Sequence, residues 1–92
     1  RYGRLRLKFL KEEMKPVYTK MLMEDTLTDY LLEVDARATD MENMLINEMK
    51  KHDNIDEKLK EKDQMKWVGA MNMIAYSARE MVMGKCINTY NI

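Results

Sequence analysis

The only tryptophan of the chain, Trp67, stands in the stretch that most constrains the fold, DEKLKEKDQMKWVGAMNMIAYSAREMVMG from Asp56 to Gly84. Leu59, Trp67, Val68, Met71, Ile74, Ala75, Ala78, Met81 and Val82 recur at steps of three and four, which puts them on one helical face. Asp56 suits the N-cap, because its carboxylate can accept from the free N–H groups of the first turn. Gly84 suits the left-handed position that closes a helix, and Lys85 follows with favourable charge. The spacing therefore predicts one helix, roughly 40 Å long at 1.5 Å per residue. Its first turns, rich in Lys, Glu and Asp, are expected in solvent, and the part from Met65 onward is expected in the core, with Trp67, Met71 and Ile74 central to it.

A second periodic stretch precedes it. Thr26 and Asp29 resemble a capping box with Asp in place of Glu. From there Leu27, Leu31, Val34, Ala38, Met41, Leu45, Met49 and His52 form a near-heptad seam, widened by Tyr30 and Met44, that implies packing at a shallow angle. The short polar connection Asp53-Asn54-Ile55 makes the two long helices antiparallel neighbours.

Upstream, residues 1–14 read as a short helix with Leu7, Leu10 and Met14 on one face and Phe9 beside it. Pro16 opens a second short helix, where its missing N–H costs nothing, and Lys15 before it is pushed from helical geometry. Val17, Met21, Tyr18 and Leu22 are its candidate core residues. With 3 Gly and 1 Pro among 92 residues the chain has little turn chemistry, and β-branched residues are sparse. The expected fold is all-α: a long antiparallel helical hairpin buttressed by two short N-terminal helices, as a single helical domain over 1–92. The tail from Cys86 to Ile92 is not placed by any pattern.

Charge balances at 16 basic and 16 acidic residues, but unevenly. Arg1, Arg4, Arg6, Lys8 and Lys11 fall in the first eleven positions with no acidic residue among them. Arg1, Arg4, Lys8 and Lys11 form a stripe and Arg6 flanks it. Either the stripe docks on the acidic body of the protein, or it is a phosphate-binding face that displaces counterions from a nucleic-acid backbone. A helix-turn-helix reading centred on residues 24–26 fails on charge. Asp25, Asp29, Glu33 and Asp35 would lead the recognition helix into a groove flanked by phosphates.

Other chemistries are excluded by residue supply. One Cys and one His allow neither an intrachain disulfide nor a Cys/His zinc cluster. Glu48 and His52 share a face, but carboxylate-bridged metal sites in helical bundles need two histidines at another spacing. Cys86 and His52 fall at opposite ends of the long helix, so no nucleophile–base pair forms within one chain. No enzyme activity and no cofactor or metal is expected. No run approaches the ~20 apolar residues of a membrane span, and Arg1 begins no signal peptide, so a cytoplasmic protein without membrane contact is expected. Most of the 11 Met residues fall on the apolar stripes and read as core. Met65, Met73 and Met83 fit the stripe less well and are candidates for a second face, used for a partner or a homodimer.

Several residues together resemble a known family. These are Leu10-Lys11-Glu12, Pro16 with Tyr18-Thr19 and Leu22, Asp29-Tyr30-Leu31, and Val34-Asp35. Later come Met65-Lys66-Trp67-Val68-Gly69, Met71-Asn72 with Ile74, and Ala78 with Glu80-Met81-Val82. In this order they are similar to the TnpV family, small proteins encoded on bacterial transposons and conjugative elements. The tryptophan segment is the most specific part. Family members extend further upstream, so the resemblance implies the C-terminal majority of a slightly longer protein. Glu24-Asp25 and Asp53-Asn54 stand where glycine is common in the family. The family has been likened to excisionases, small DNA-binding proteins that bias a recombinase toward excision. The resemblance therefore implies a non-enzymatic accessory protein of a mobile element, with element DNA or an element-encoded recombinase as partner. The alternative is a protein–protein interaction module, a homodimer or partner-binding hairpin without DNA contact.

Overall fold

The computed structural model describes all residues, 1–92, and contains helices and turns only. α1 spans Tyr2–Glu13, α2 Lys15–Met23, α3 Leu27–His52, α4 Glu57–Lys62 and α5 Gln64–Val82, followed by one π-helical turn, Met83–Ile87. α3 and α5 form the antiparallel hairpin, and α1 packs on the first half of α3. The molecule is a rod of 56 × 19 × 17 Å. The expected all-α hairpin with two short N-terminal helices is the observed architecture, and α3 begins and ends where its pattern does.

The long second helix is not continuous. Asp56 caps α4 as expected, its Oδ1 accepting from the Leu59 N–H at 3.0 Å. At Asp63 the backbone leaves helical geometry (φ −151°, ψ 89°), and the Asp63 carboxylate accepts from the Lys66 N–H at 3.1 Å. A short acceptor side chain that satisfies a backbone donor locally competes with helix continuation. The polar turns of α4 supply no core contact to resist the break.

Gly84 does not close a helix either. No glycine has a positive φ, and Gly84 lies inside the π-helical turn, which ends on a bond from the Asn88 N–H to the Met83 oxygen. The left-handed closures occur instead at Asp25 (φ 59°) and Asn54 (φ 55°). Both follow one pattern. Thr26 N–H donates to Met21 O and Asp25 N–H to Leu22 O, while Ile55 N–H donates to Lys50 O and Asn54 N–H to Lys51 O. These are paired six-to-one and five-to-two closures, with an acidic or amide residue where glycine is cheapest. The capping box at Thr26 does not form; its hydroxyl turns back to the Met21 oxygen at 3.4 Å. The break before α2 falls at Met14 (φ −134°, ψ 50°), so Lys15 is helical and Pro16 still occupies the first turn.

The core lies at one end of the hairpin. Tyr2, Val34, Ala38, Val82 and Ile87 form its buried cluster, with Tyr30, Met41, Leu45, Met83 and Cys86 packed against it. Leu10, Met14, Ile74 and Ala78 are also buried. Trp67 and Met71, expected in the core, are only half-buried, and the Lys60 ammonium sits 4.8 Å from the Trp67 ring centre. Val68, Ala75 and Met81 on the same stripe are exposed, as are Met44, Leu22 and His52. A two-helix hairpin encloses a core only where a third element covers it, and α1 covers only the first half. At that contact Gly3 lets the backbones approach: a Cβ there would meet the Leu31 oxygen at 3.3 Å.

Candidate nucleic-acid interface

α1 divides its residues by helical period. Tyr2, Arg6 and Leu10, at steps of four, face the body and are buried. Arg4, Lys8 and Lys11 lie on the opposite side in solvent. The five basic residues of the sequence stripe thus separate into two groups.

Arg6 is not part of any surface stripe. It is 1% exposed, the largest fully buried side chain of the protein. Its Nη1 donates to the Ile87 oxygen at 2.7 Å and the Thr89 oxygen at 2.6 Å, and Nη2 donates to the Asn91 oxygen at 3.0 Å. Nε donates to the Tyr30 hydroxyl at 3.0 Å. A guanidinium presents five donors in a fixed fork, and this one sits where the π-helical turn after α5 exposes its carbonyl ends. The negative end of the helix dipole adds to the attraction. Composition alone assigns Arg to the surface. The signal for the opposite was its spacing between Tyr2 and Leu10.

Arg1 is also engaged within the molecule. Its Nη2 donates to Glu42 Oε2 at 2.7 Å and to the Tyr2 hydroxyl at 3.0 Å. The Tyr2 hydroxyl in turn donates to the same Glu42 carboxylate. The Gly3 N–H donates to Asp35 Oδ1 at 3.0 Å, and this bond is the largest cause holding the Asp35 carboxyl below its usual range. Docking of the basic helix on the acidic body is therefore real for Arg1.

Arg4, Lys8 and Lys11 form no ion pair. They line one shallow surface groove with Leu7 and Glu12, and the Lys11 ammonium lies 5.7 Å from the Tyr18 ring centre. The three cationic heads share one exposed helical face, with Glu12 as the one carboxylate beside them in the groove.

The family model described as transposon-encoded protein TnpV matches residues 1–87. The chain belongs to the TnpV family. No curated protein and no solved structure matches it significantly. The family span runs from α1 to the last residue of the π-helical turn, so it contains the exposed groove, Arg6 and the first carbonyl that Arg6 binds. Thr89 and Asn91, the other two, lie beyond it. The tail returns to α1, where Tyr90 packs edge-on against Phe9 with ring centres 5.3 Å apart.

Of the three methionines expected on a second face, Met65 and Met73 are exposed. Met83 is not; it packs against the buried cluster. Cys86 lies against Met41, its Sγ 3.8 Å from the thioether sulfur, and His52 pairs with Asp53 at the far turn. No helix is long and apolar enough to cross a membrane.

Proposed function

We propose that this TnpV-family protein is a non-enzymatic accessory factor of its mobile element, acting on excision or transposition by binding DNA within the recombination complex. The observation that carries this reading is the exposed Arg4, Lys8 and Lys11 face, left unpaired while Arg1 and Arg6 are consumed internally. Three exposed cations without ion-pair partners can each neutralise a phosphate, with no base-reading element beside them. The contact is therefore to backbone and serves position rather than sequence. With about three phosphates neutralised, log K is expected to fall with log salt at a slope of about −2.7 on duplex DNA.

The test is fluorescence anisotropy of a labelled duplex from the element's ends, titrated at several salt concentrations beside an unrelated duplex. Binding with a slope near that value supports the reading. Absence of binding at low salt would sink it.

The second reading, a protein-interaction module that binds itself or another protein without DNA contact, is favoured by the exposure of Met65 and Met73 on α5. Flexible thioether side chains adapt to a partner's surface.

A further inference from the structure

All ten buried residues lie between residues 2 and 38 or between 74 and 87. The distal half of the hairpin, from Met41 round the turn to Met71, has none. Its apolar residues have a second layer and no third. α1 is the third layer for the proximal half, and it ends over the middle of the rod, where Arg1 and Glu42 meet Asn72, Ala75, Tyr76 and Arg79 in one groove. Beyond that point the same shelf continues uncovered. Ile46 follows Glu42 by one turn on α3. Val68 and Met65 precede Asn72 by one and two turns on α5. Tyr76 is 64% exposed, Met65 85% and Val68 41%.

We infer that this shelf is the contact surface for a second copy of the chain, two distal hairpins closing into a four-helix bundle about a two-fold axis. This deepens the interaction reading above by naming the partner, and it is independent of the DNA contact, whose residues lie on α1.

Three observations select a second copy. The first is area. The chain exposes 6859 Å² at 11.0 kDa, whereas a compact monomer of that mass exposes about 5,600 Å². The excess, roughly 1,200 Å², exceeds the ~800 Å² each partner contributes to a standard interface. The second is charge. Residues 43–66 carry six acidic and six basic side chains, so two copies meet without net repulsion, and a phosphate surface gains nothing there. The third is architecture. A hairpin with one open face supplies two helices, and a bundle core needs about four. A two-fold contact is self-complementary and closes, so assembly stops at the dimer.

The experiment is sedimentation velocity on the full chain from about 1 to about 100 µM, a range that brackets ordinary dimer affinities. The parent is compared with Val68→Lys/Tyr76→Lys and with the control Met44→Lys. Both substituted shelf residues are solvent-exposed in the monomer, so helicity by circular dichroism stays at the parent level. Met44 is two residues from both Glu42 and Ile46 and projects from the far side of α3. The expected result is a dimer in the parent and the control, with the dimer dissociation constant raised at least tenfold in the double variant. A parent that is monomeric at the top concentration overturns the proposal and leaves the shelf to a different protein. So does a dimer weakened equally by Met44→Lys, which would place the contact elsewhere, or growth past the dimer. Loss of DNA binding with the dimer intact, or the reverse, separates failure of this inference from failure of the DNA reading.

Discussion

Arg6 and Asn91, 85 positions apart in the chain, are joined by a hydrogen bond of 3.0 Å from guanidinium to carbonyl. With the bonds to Ile87 and Thr89 it ties the first helix to the last residues through a buried charge that has no carboxylate partner. Removing the cation leaves several inward-facing carbonyls without donors and opens a cavity. Arg6→Ala is expected to destabilise by about 3 kcal/mol. Arg6→Lys is expected to recover part of this, because one ammonium cannot span three carbonyls and the Tyr30 hydroxyl. Urea denaturation followed by circular dichroism measures both. A loss below about 0.5 kcal/mol for the alanine variant, the range of ordinary surface changes, would refute the clamp.

The exposed triad predicts a graded salt effect. Each of Arg4→Ala, Lys8→Ala and Lys11→Ala should flatten the slope of log K against log salt by about one. Arg6→Lys, which leaves the surface unchanged, should leave the slope unchanged. Equal slopes in the parent and the triple variant would remove α1 from the DNA contact.

The two left-handed closures predict a gain. Asp25→Gly and Asn54→Gly relieve a conformation that costs residues with a side chain up to about 1 kcal/mol at such positions. Each should raise stability by about 0.5–1 kcal/mol, and the two should add, because they lie at opposite ends of α3. Thermal melts of the single and double variants read this directly. Destabilisation at either site would mean that its carboxylate or amide does more than occupy the turn.

Asp35 predicts a pH window. Its carboxyl is held below the usual range chiefly by the Gly3 N–H. A group whose folded pKa is lowered stabilises at pH above its unfolded value and loses that contribution as pH falls through the folded one. Asp35→Asn should therefore be less stable than the parent at neutral pH, with the two converging in acid. Parallel stability curves across the acid range would contradict the link between Asp35 and the start of α1.

The sequence carries α3 almost completely. Its seam from Leu27 to Met49 has no internal competitor for backbone donors, and it stops at Asp53-Asn54, whose side chains suit a left-handed turn. The α4–α5 break escaped the same reading because apolar period survives a kink: Leu59 and Trp67 stay on one face whether or not the backbone at Asp63 is helical. The signal present was Asp63 three residues before Lys66, the spacing of an N-cap. Burial was harder to read than helicity. Trp67 and Met71 have the right period but no third layer above them, and a third layer depends on where α1 ends. In the candidate site, the basic character of α1 was legible and its division only in part. Arg6 stands four residues from both Tyr2 and Leu10, a spacing that marks the buried face, whereas Arg1 differs from Arg4 through its partner at Glu42, which no local pattern shows.

The Arg6 clamp also sets an order of events during synthesis. Arg6 is made 81 residues before the first of its carbonyl partners and 85 before the last. At roughly 5 to 20 residues per second, it waits about 4 to 16 s for them. The hairpin of α3 and α5 closes through a turn of a few residues, whereas the clamp closes a loop of 81 residues or more, so chain entropy favours pairing of the hairpin before α1 is anchored. A chain without residues 89–91 would therefore keep its hairpin and hold its first helix by fewer bonds.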